Sequence, residues 1–170
     1  AEAARVAEAK RKEDAAKDAY TQAAKEADAG RLEAALVLYK KADELVPAPA
    51  PKFKLALTPD KLERVAEAET AYQGFLEIKP DPDKFFSKIE SARERIRAIA
   101  GMPGKLVVKT KPDAPPNLVL AVDRIPQAGN EIVVMPGSHN LTAVADGFTG
   151  SQTVSVRPAE NKDALFTLVA

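Results

Sequence analysis

The spacing of apolar residues changes period once along the chain. Up to Ala100 they recur at helical intervals, and beyond Gly104 they alternate. Glu2–Ala29 has no Gly or Pro and is dense in strong helix formers, which predicts one long helix. Its apolar side is mostly alanine: Ala9, Ala16, Ala19, Ala23 and Ala27, with Val6 and Tyr20. Roughly the first dozen residues are therefore expected to project into solvent or fray. Gly30 stops this helix. Leu32, Ala35, Leu36, Tyr39, Ala42, Leu45 and Val46 follow the i, i+3, i+4, i+7 template and predict an amphipathic helix over Leu32–Val46. Pro47-Ala48-Pro49-Ala50-Pro51 is expected to be a stiff extended connector. A short helical piece, Lys52–Leu57, should follow, after which either Pro59 breaks the helix or Thr58 caps a new one with Pro59 at its first position. Asp60–Ile78 is the next helix, with Leu62, Val65, Ala68, Tyr72, Phe75 and Leu76 inward. The last is Asp83–Ala100, capped by Asp83, with Phe85, Phe86, Ile89, Ala92, Ile96 and Ile99 inward.

Ala100-Gly101-Met102-Pro103-Gly104 ends the helical half, and the domain boundary is placed there: 1–101 helical, 102–170 strands. Six short strands are expected: Leu106–Lys111, Leu118–Asp123, Glu131–Met135, Ser138–Ala145, Gln152–Arg157 and Ala164–Val169. Pro136-Gly137 suits a type II turn and Asp146-Gly147 a hairpin turn, which would frame the fourth strand. Its His139, Leu141, Ala143 and Ala145 share one face. The fold class expected is α+β in two segregated domains, an all-α helical repeat followed by a small antiparallel β-sandwich. Valine at Gly137 or Gly147 should unfold the second half alone.

A repeat lies within the helical half. Ala35, Tyr39, Ala42 and Pro47 recur as Ala68, Tyr72, Phe75 and Pro80, each pair 33 residues apart. A small residue, an aromatic four on, another inward residue and a proline resemble the second helix of a tetratricopeptide repeat. The resemblance covers roughly Thr21–Ala100. Glu63 stands where that family usually has a turn glycine, Phe75 where alanine is usual, and Pro59 where a large apolar residue is usual. The second repeat's first helix is therefore expected to be shortened or kinked. The other reading of this half is an unrelated Ala-rich helical bundle.

The second half resembles the PEGA domain over Gly104–Val169. The match is carried by Gly104-Lys105-Leu106-Val107-Val108, Pro112-Asp113-Ala114, Val119-Leu120-Ala121-Val122-Asp123, Pro136-Gly137-Ser138-His139, Asp146-Gly147-Phe148 and Val154-Ser155-Val156. Transthyretin-like or immunoglobulin-like sandwiches are the alternatives. The two resemblances imply a protein-binding helical groove and a bacterial cell-envelope location, periplasmic or outer-membrane-associated.

Composition narrows the chemistry. Lys and Arg number 25 and Asp and Glu 25, with 19 of each up to Gly101 and 6 of each beyond. Neither half is a basic body, so no nucleic-acid partner is expected. There is no cysteine, which excludes disulfides and thiol catalysis. No apolar run approaches the length of a membrane span. No signal peptide is visible, and a start within a helix-like run fits a form from which a leader has been removed. His139 is the only histidine and is read as an inward strand residue without catalytic partners. No catalytic residue, cofactor or metal is expected. Lys40-Lys41, Lys52 and Lys54 form a basic group around the first connector, as Arg93, Arg95 and Arg97 do near the end of the last helix. Of these, Lys52 and Lys54 are the candidates to hold an acidic peptide or a C-terminal carboxylate. The function expected is a non-enzymatic interaction or scaffold protein with protein partners. The alternatives are a module that binds cell-wall carbohydrate such as peptidoglycan, and an oligomerisation spacer paired through Glu2–Ala29.

Overall fold

Five helices precede seven strands in the computed structural model, which describes residues 1–170. The chain is α+β with the two kinds of structure segregated. Ala1–Arg97 form a helical unit and Ala98–Ala170 a β unit. The helices are α1 (Glu2–Asp28), α2 (Leu32–Leu45), α3 (Pro49–Lys61), α4 (Val65–Glu77) and α5 (Pro82–Ala100).

Two helical hairpins, α1–α2 and α3–α4, stack through α2 and α3. They repeat at the level of single hydrogen bonds. In the first turn, Arg31 N–H reaches Glu26 O at 2.8 Å and Gly30 N–H reaches Ala27 O at 3.0 Å. In the second, Arg64 N–H reaches Pro59 O at 2.9 Å and Glu63 N–H reaches Asp60 O at 3.0 Å. These are the paired bonds of a Schellman C-cap, which satisfy the last carbonyls of a helix. Interiors repeat as well. Tyr20 meets Tyr39 edge-on at 5.3 Å, and Phe53 meets Tyr72 at 6.0 Å. Ala23, Ala35, Ala56 and Ala68 are all fully buried, which lets the helix backbones approach closely. Arg64 of the second turn pairs with Glu33 of α2, tying one hairpin to the next.

The helix boundaries depart from the sequence expectation at the prolines. The extended connector is only Val46–Ala48, since Pro49 is the first residue of α3 and Pro51 lies in its first turn. N–H groups there have no intrahelical partner, so proline gives up nothing. Pro59 does not interrupt the chain; it lies inside α3 and is buried. It withholds only the bond to Leu55 O near the helix end, and the break falls instead at Leu62–Arg64. Asp81, not Asp83, caps α5: its Oδ1 accepts Asp83 N–H at 3.0 Å, because Pro82 takes the first helical position. Phe86, expected inward, is 67% exposed; the buried stripe runs through Ile89, Ala92 and Ile99, and Phe86 falls beside it. Phe85 is non-helical at φ −119°, ψ 17°. In α1, every residue up to Ala15 is exposed.

The strands are β1 (Gly104–Lys111), β2 (Val119–Val122), β3 (Ile125–Gln127), β4 (Glu131–Val134), β5 (Gly137–Ala145), β6 (Phe148–Val156) and β7 (Asn161–Thr167). They form one sheet ordered β4-β1-β7 and another ordered β3-β2-β5-β6. Leu106, Val108, Ile132, Val134, Ala164 and Phe166 of the first sheet share a core with Leu120, Val122, Leu141, Ala143, Val154 and Val156 of the second. The alternation puts His139, Leu141, Ala143 and Ala145 on the inner face of β5, as expected, with Val144 turned outward.

Three features differ from the expectation. The first sheet is mixed, because β1 and β7 run parallel, Lys105 beside Asn161 through Lys111 beside Thr167. The chain leaves β6 next to the start of β1, where Lys105 N–H meets Glu160 O at 2.8 Å, so β7 enters in the direction of β1. β3 is an additional strand, joined to β2 by Asp123 and Arg124 at φ +49° and +71°. A two-residue loop with both φ positive is the turn that matches strand twist. Finally, Asp146-Gly147 closes the β5–β6 hairpin, with Gly147 at φ +74°, but Pro136-Gly137 does not close one. Gly137, at φ +133°, opens β5, and the chain there crosses from one sheet to the other.

Candidate functional site

Packing of a long α1 against a shorter α2 leaves a groove in the helical unit. Its volume is about 500 Å³. Ala16, Tyr20 and Thr21 of α1 form one wall. Ala42 and Val46 at the end of α2 form another, and Ala48, Ala50 and Pro51 at the start of α3 close it. Glu13 and Lys17 stand on the α1 side. The wall is apolar because the alanine stripe of α1 continues past the region that α2 covers. Tyr20 is half-buried, and burial raises the pKa of its hydroxyl. Tyr39, behind it, is also raised, first by burial and then by Tyr20 and Asp28; its Oη is buried without a hydrogen-bond partner.

The two lysines singled out from the sequence have different surroundings. Lys52 Nζ lies 2.8 Å from Asp43 Oδ2, with both side chains largely covered. Asp43 Oδ1 also accepts Ala48 N–H at 3.3 Å. The charge of Lys52 is thus spent holding the α2–α3 connection. Lys54 is half-buried on α3 and makes no ion pair. It lies one helical turn beyond Ala50 and Pro51, which line the groove, but does not itself line it.

Arg95, from the second basic group, is also engaged. Its guanidinium makes a two-pronged contact with Asp60, both distances 2.7 Å, and Tyr72 Oη donates to the same carboxylate at 3.1 Å. Arg95 is shifted upward, chiefly by the hydrogen bond it donates to Asp60. Burial, followed by the Asp60 charge, raises Tyr72 well above the ordinary phenol range. Three helices, α3, α4 and α5, meet at this carboxylate.

In the β unit, sequence reasoning missed a partner for His139. Nδ1 lies 2.7 Å from Asp123 Oδ2, and Nε2 lies 2.7 Å from Met135 O. Both neighbours are acceptors, so the protonated ring donates to each. The Asp123 hydrogen bond is the main cause that raises the pKa of His139, and the same bond lowers that of Asp123. Asp123 Oδ1 also accepts Asn140 N–H at 2.8 Å. The pair clamps the β2–β3 turn onto β5. With both ring nitrogens occupied, neither is free to take a proton from a nucleophile. The β2–β5 register, Val122 beside Leu141, brings these residues together; only that pairing would have revealed the contact. No group of three or more His, Asp or Glu residues is arranged to hold a metal ion.

No protein-family model matches this chain, and no curated protein matches its sequence.

Proposed function

We propose that this chain is a non-enzymatic interaction and scaffold protein, with a tetratricopeptide-like helical unit that receives a partner peptide in the α1–α3 groove. The observation that carries this reading is the repeat itself. Two helical hairpins agree 33 residues apart in their caps, aromatic pairs and buried alanines, and stacked hairpins of this kind leave an open apolar groove beside their shared core. Lys54 supplies an unpaired cation next to that groove, suited to an acidic side chain or a C-terminal carboxylate. The β unit, PEGA-like in the order of its turns, would attach the protein to a bacterial cell-envelope component. Resemblance alone supports that location.

Linear peptides selected from a random displayed library on the full chain would test the groove. Selected peptides should lose at least tenfold in affinity on Ala50→Trp, which fills the groove from the first turn of α3. Peptides with a free carboxylate should also weaken on Lys54→Glu. Failure to select any peptide, or indifference of the selected ones to Ala50→Trp, would refute this reading.

A further inference from the structure

Four strands lie at sheet edges: β3 and β6 in one sheet, β4 and β7 in the other. An edge offers unpaired backbone groups to any extended chain, and folded proteins blunt their edges with short strands, charge or proline. Three of these edges are blunted. β3 has three residues and contains Pro126; β4 has four and contains Glu131; β7 carries Lys162 and Asp163. β6 is different. It runs for nine residues, and Gly147–Val156 contains neither charge nor proline in a chain that is 29% charged.

The open backbone groups of β6 can be named. Thr149 exchanges hydrogen bonds of 2.9 and 3.0 Å with Val169 on the side away from β5. Backbone groups alternate sides along a strand, so Ser151, Thr153 and Ser155 aim the same way, beyond Val169. Their side chains are exposed. Ser155 O accepts Lys162 Nζ at 2.7 Å and keeps a second lone pair.

We propose that the β6 edge is a self-association surface: two copies of this chain pair antiparallel through Ser151–Ser155 about a two-fold axis at Thr153. The occupant is a second copy because the outward residues, Ser151, Thr153 and Ser155, read the same in both directions. About a two-fold axis at Thr153 each residue meets its mirror position, so this order sets uncharged hydroxyl residues opposite one another. Thr153 then faces its twin and Ser151 faces Ser155; each Thr153 hydroxyl keeps its 3.2 Å bond to Asn140 Oδ1, and the Lys162 ammonium groups on the two Ser155 carbonyls lie at opposite ends of the paired segment, so no like charges collide. Val169 already holds Thr149, so the pairing cannot slide past Ser151. The result is a continuous sheet across both copies.

Sedimentation of the full chain over a range of concentrations tests this, and a monomer–dimer equilibrium is expected. Thr153→Lys sets two ammonium groups face to face, and Thr153→Pro removes an outward N–H while leaving the backbone bonds to β5; both lose the Thr153 hydroxyl's bond to Asn140 Oδ1, so Asn140→Ala, which removes that bond alone, should leave the dimer intact. Each of these two Thr153 variants should raise the dimer dissociation constant at least tenfold with unchanged circular dichroism. The chain has no native cysteine, so Thr153→Cys should form a disulfide-linked dimer on mild oxidation, the paired Cα atoms being about 5.5 Å apart. Ser138→Cys, on β5 and at least about 14 Å from its twin, should not. Should the proline variant unfold, the lysine and cysteine variants still decide. A chain that stays monomeric throughout, or a dimer that survives Thr153→Lys, overturns the proposal.

Discussion

Glu63 takes, one repeat later, the backbone place of Gly30: φ is +60° at Glu63 and +76° at Gly30, and each closes its helix with the same two hydrogen bonds. Glycine adopts this conformation freely, whereas a residue with a Cβ is strained there by about 1–2 kcal/mol. Glu63→Gly relieves that strain but adds about 0.4–1 kcal/mol of unfolded-chain freedom. The net expectation is a helical unit stabilised by about 0–1.6 kcal/mol. Gly30→Ala should destabilise it by about 1 kcal/mol. Denaturant titrations followed by far-ultraviolet circular dichroism measure both.

Tyr39 and Tyr72 are also repeat partners, but their hydroxyls have opposite fates. Tyr72 donates to Asp60, while Ala27 stands at the equivalent place beside Tyr39, whose hydroxyl has no partner. Tyr72→Phe should cost about 1.5–3 kcal/mol, the range for a hydrogen bond to a charged group. Tyr39→Phe removes an unsatisfied buried hydroxyl and should be neutral or stabilising. Equal losses at the two sites would show that the repeat geometry, not the hydroxyl partner, sets the energy.

The His139–Asp123 pair makes the β unit pH-dependent. The folded pKa of His139 is raised, so its contribution is full below the unfolded value and is lost as pH rises through the folded value. That of Asp123 is lowered, so its contribution is full above the unfolded value and is lost as pH falls through the folded one. The pair therefore supports the β unit most in the mildly acidic range, between the two transitions. Melting temperatures measured from pH 5 to 9 should fall on the alkaline side of the His139 transition, and His139→Gln should flatten that slope.

Close approach, not turn geometry, makes Gly104 necessary. A Cβ there would lie 2.4 Å from Val156 Cγ1, 3.0 Å from Glu160 O and 3.2 Å from Arg157 O. Backbone oxygens and a β-branched side chain yield poorly, so Gly104→Ala should cost about 1–3 kcal/mol. Gly147→Val should destabilise the same unit through φ +74° despite open space around it. By contrast, Gly74 lies inside α4 with nothing near it, and Gly74→Ala should stabilise the helical unit by about 0.5–1 kcal/mol. Thermal unfolding of the three variants ranks them.

Local pattern determined a good deal by itself. The switch from helical spacing to alternation marks where helices give way to strands, because burial on one face imposes a period of 3.6 or 2 on the side chains. The same logic made Ala35, Tyr39, Ala68 and Tyr72 legible as matched interior positions and turned His139, Leu141 and Ala143 to one face of β5. The repeat reached further than the second helices suggested: Tyr20 and Phe53, and Ala23 and Ala56, are also 33 apart and take equivalent places. These pairs were visible as a spacing, but the thin alanine stripe around Tyr20 hid them.

Tertiary structure decided the rest, because it depends on neighbours distant in sequence. Proline propensity argued for a break at Pro59, yet packing of α3 against α4 keeps that residue buried and helical, at the cost of one hydrogen bond near the helix end. Both the parallel entry of β7 beside β1 and the meeting of Asp123 with His139 follow from strand register, which no local pattern encodes. Lys52 and Lys54, alike in sequence, were separated by Asp43 nine residues before the first of them. Alternation could foretell which residues of β6 face outward, but only the sheet order left that strand at an edge, with its backbone groups open beyond Val169.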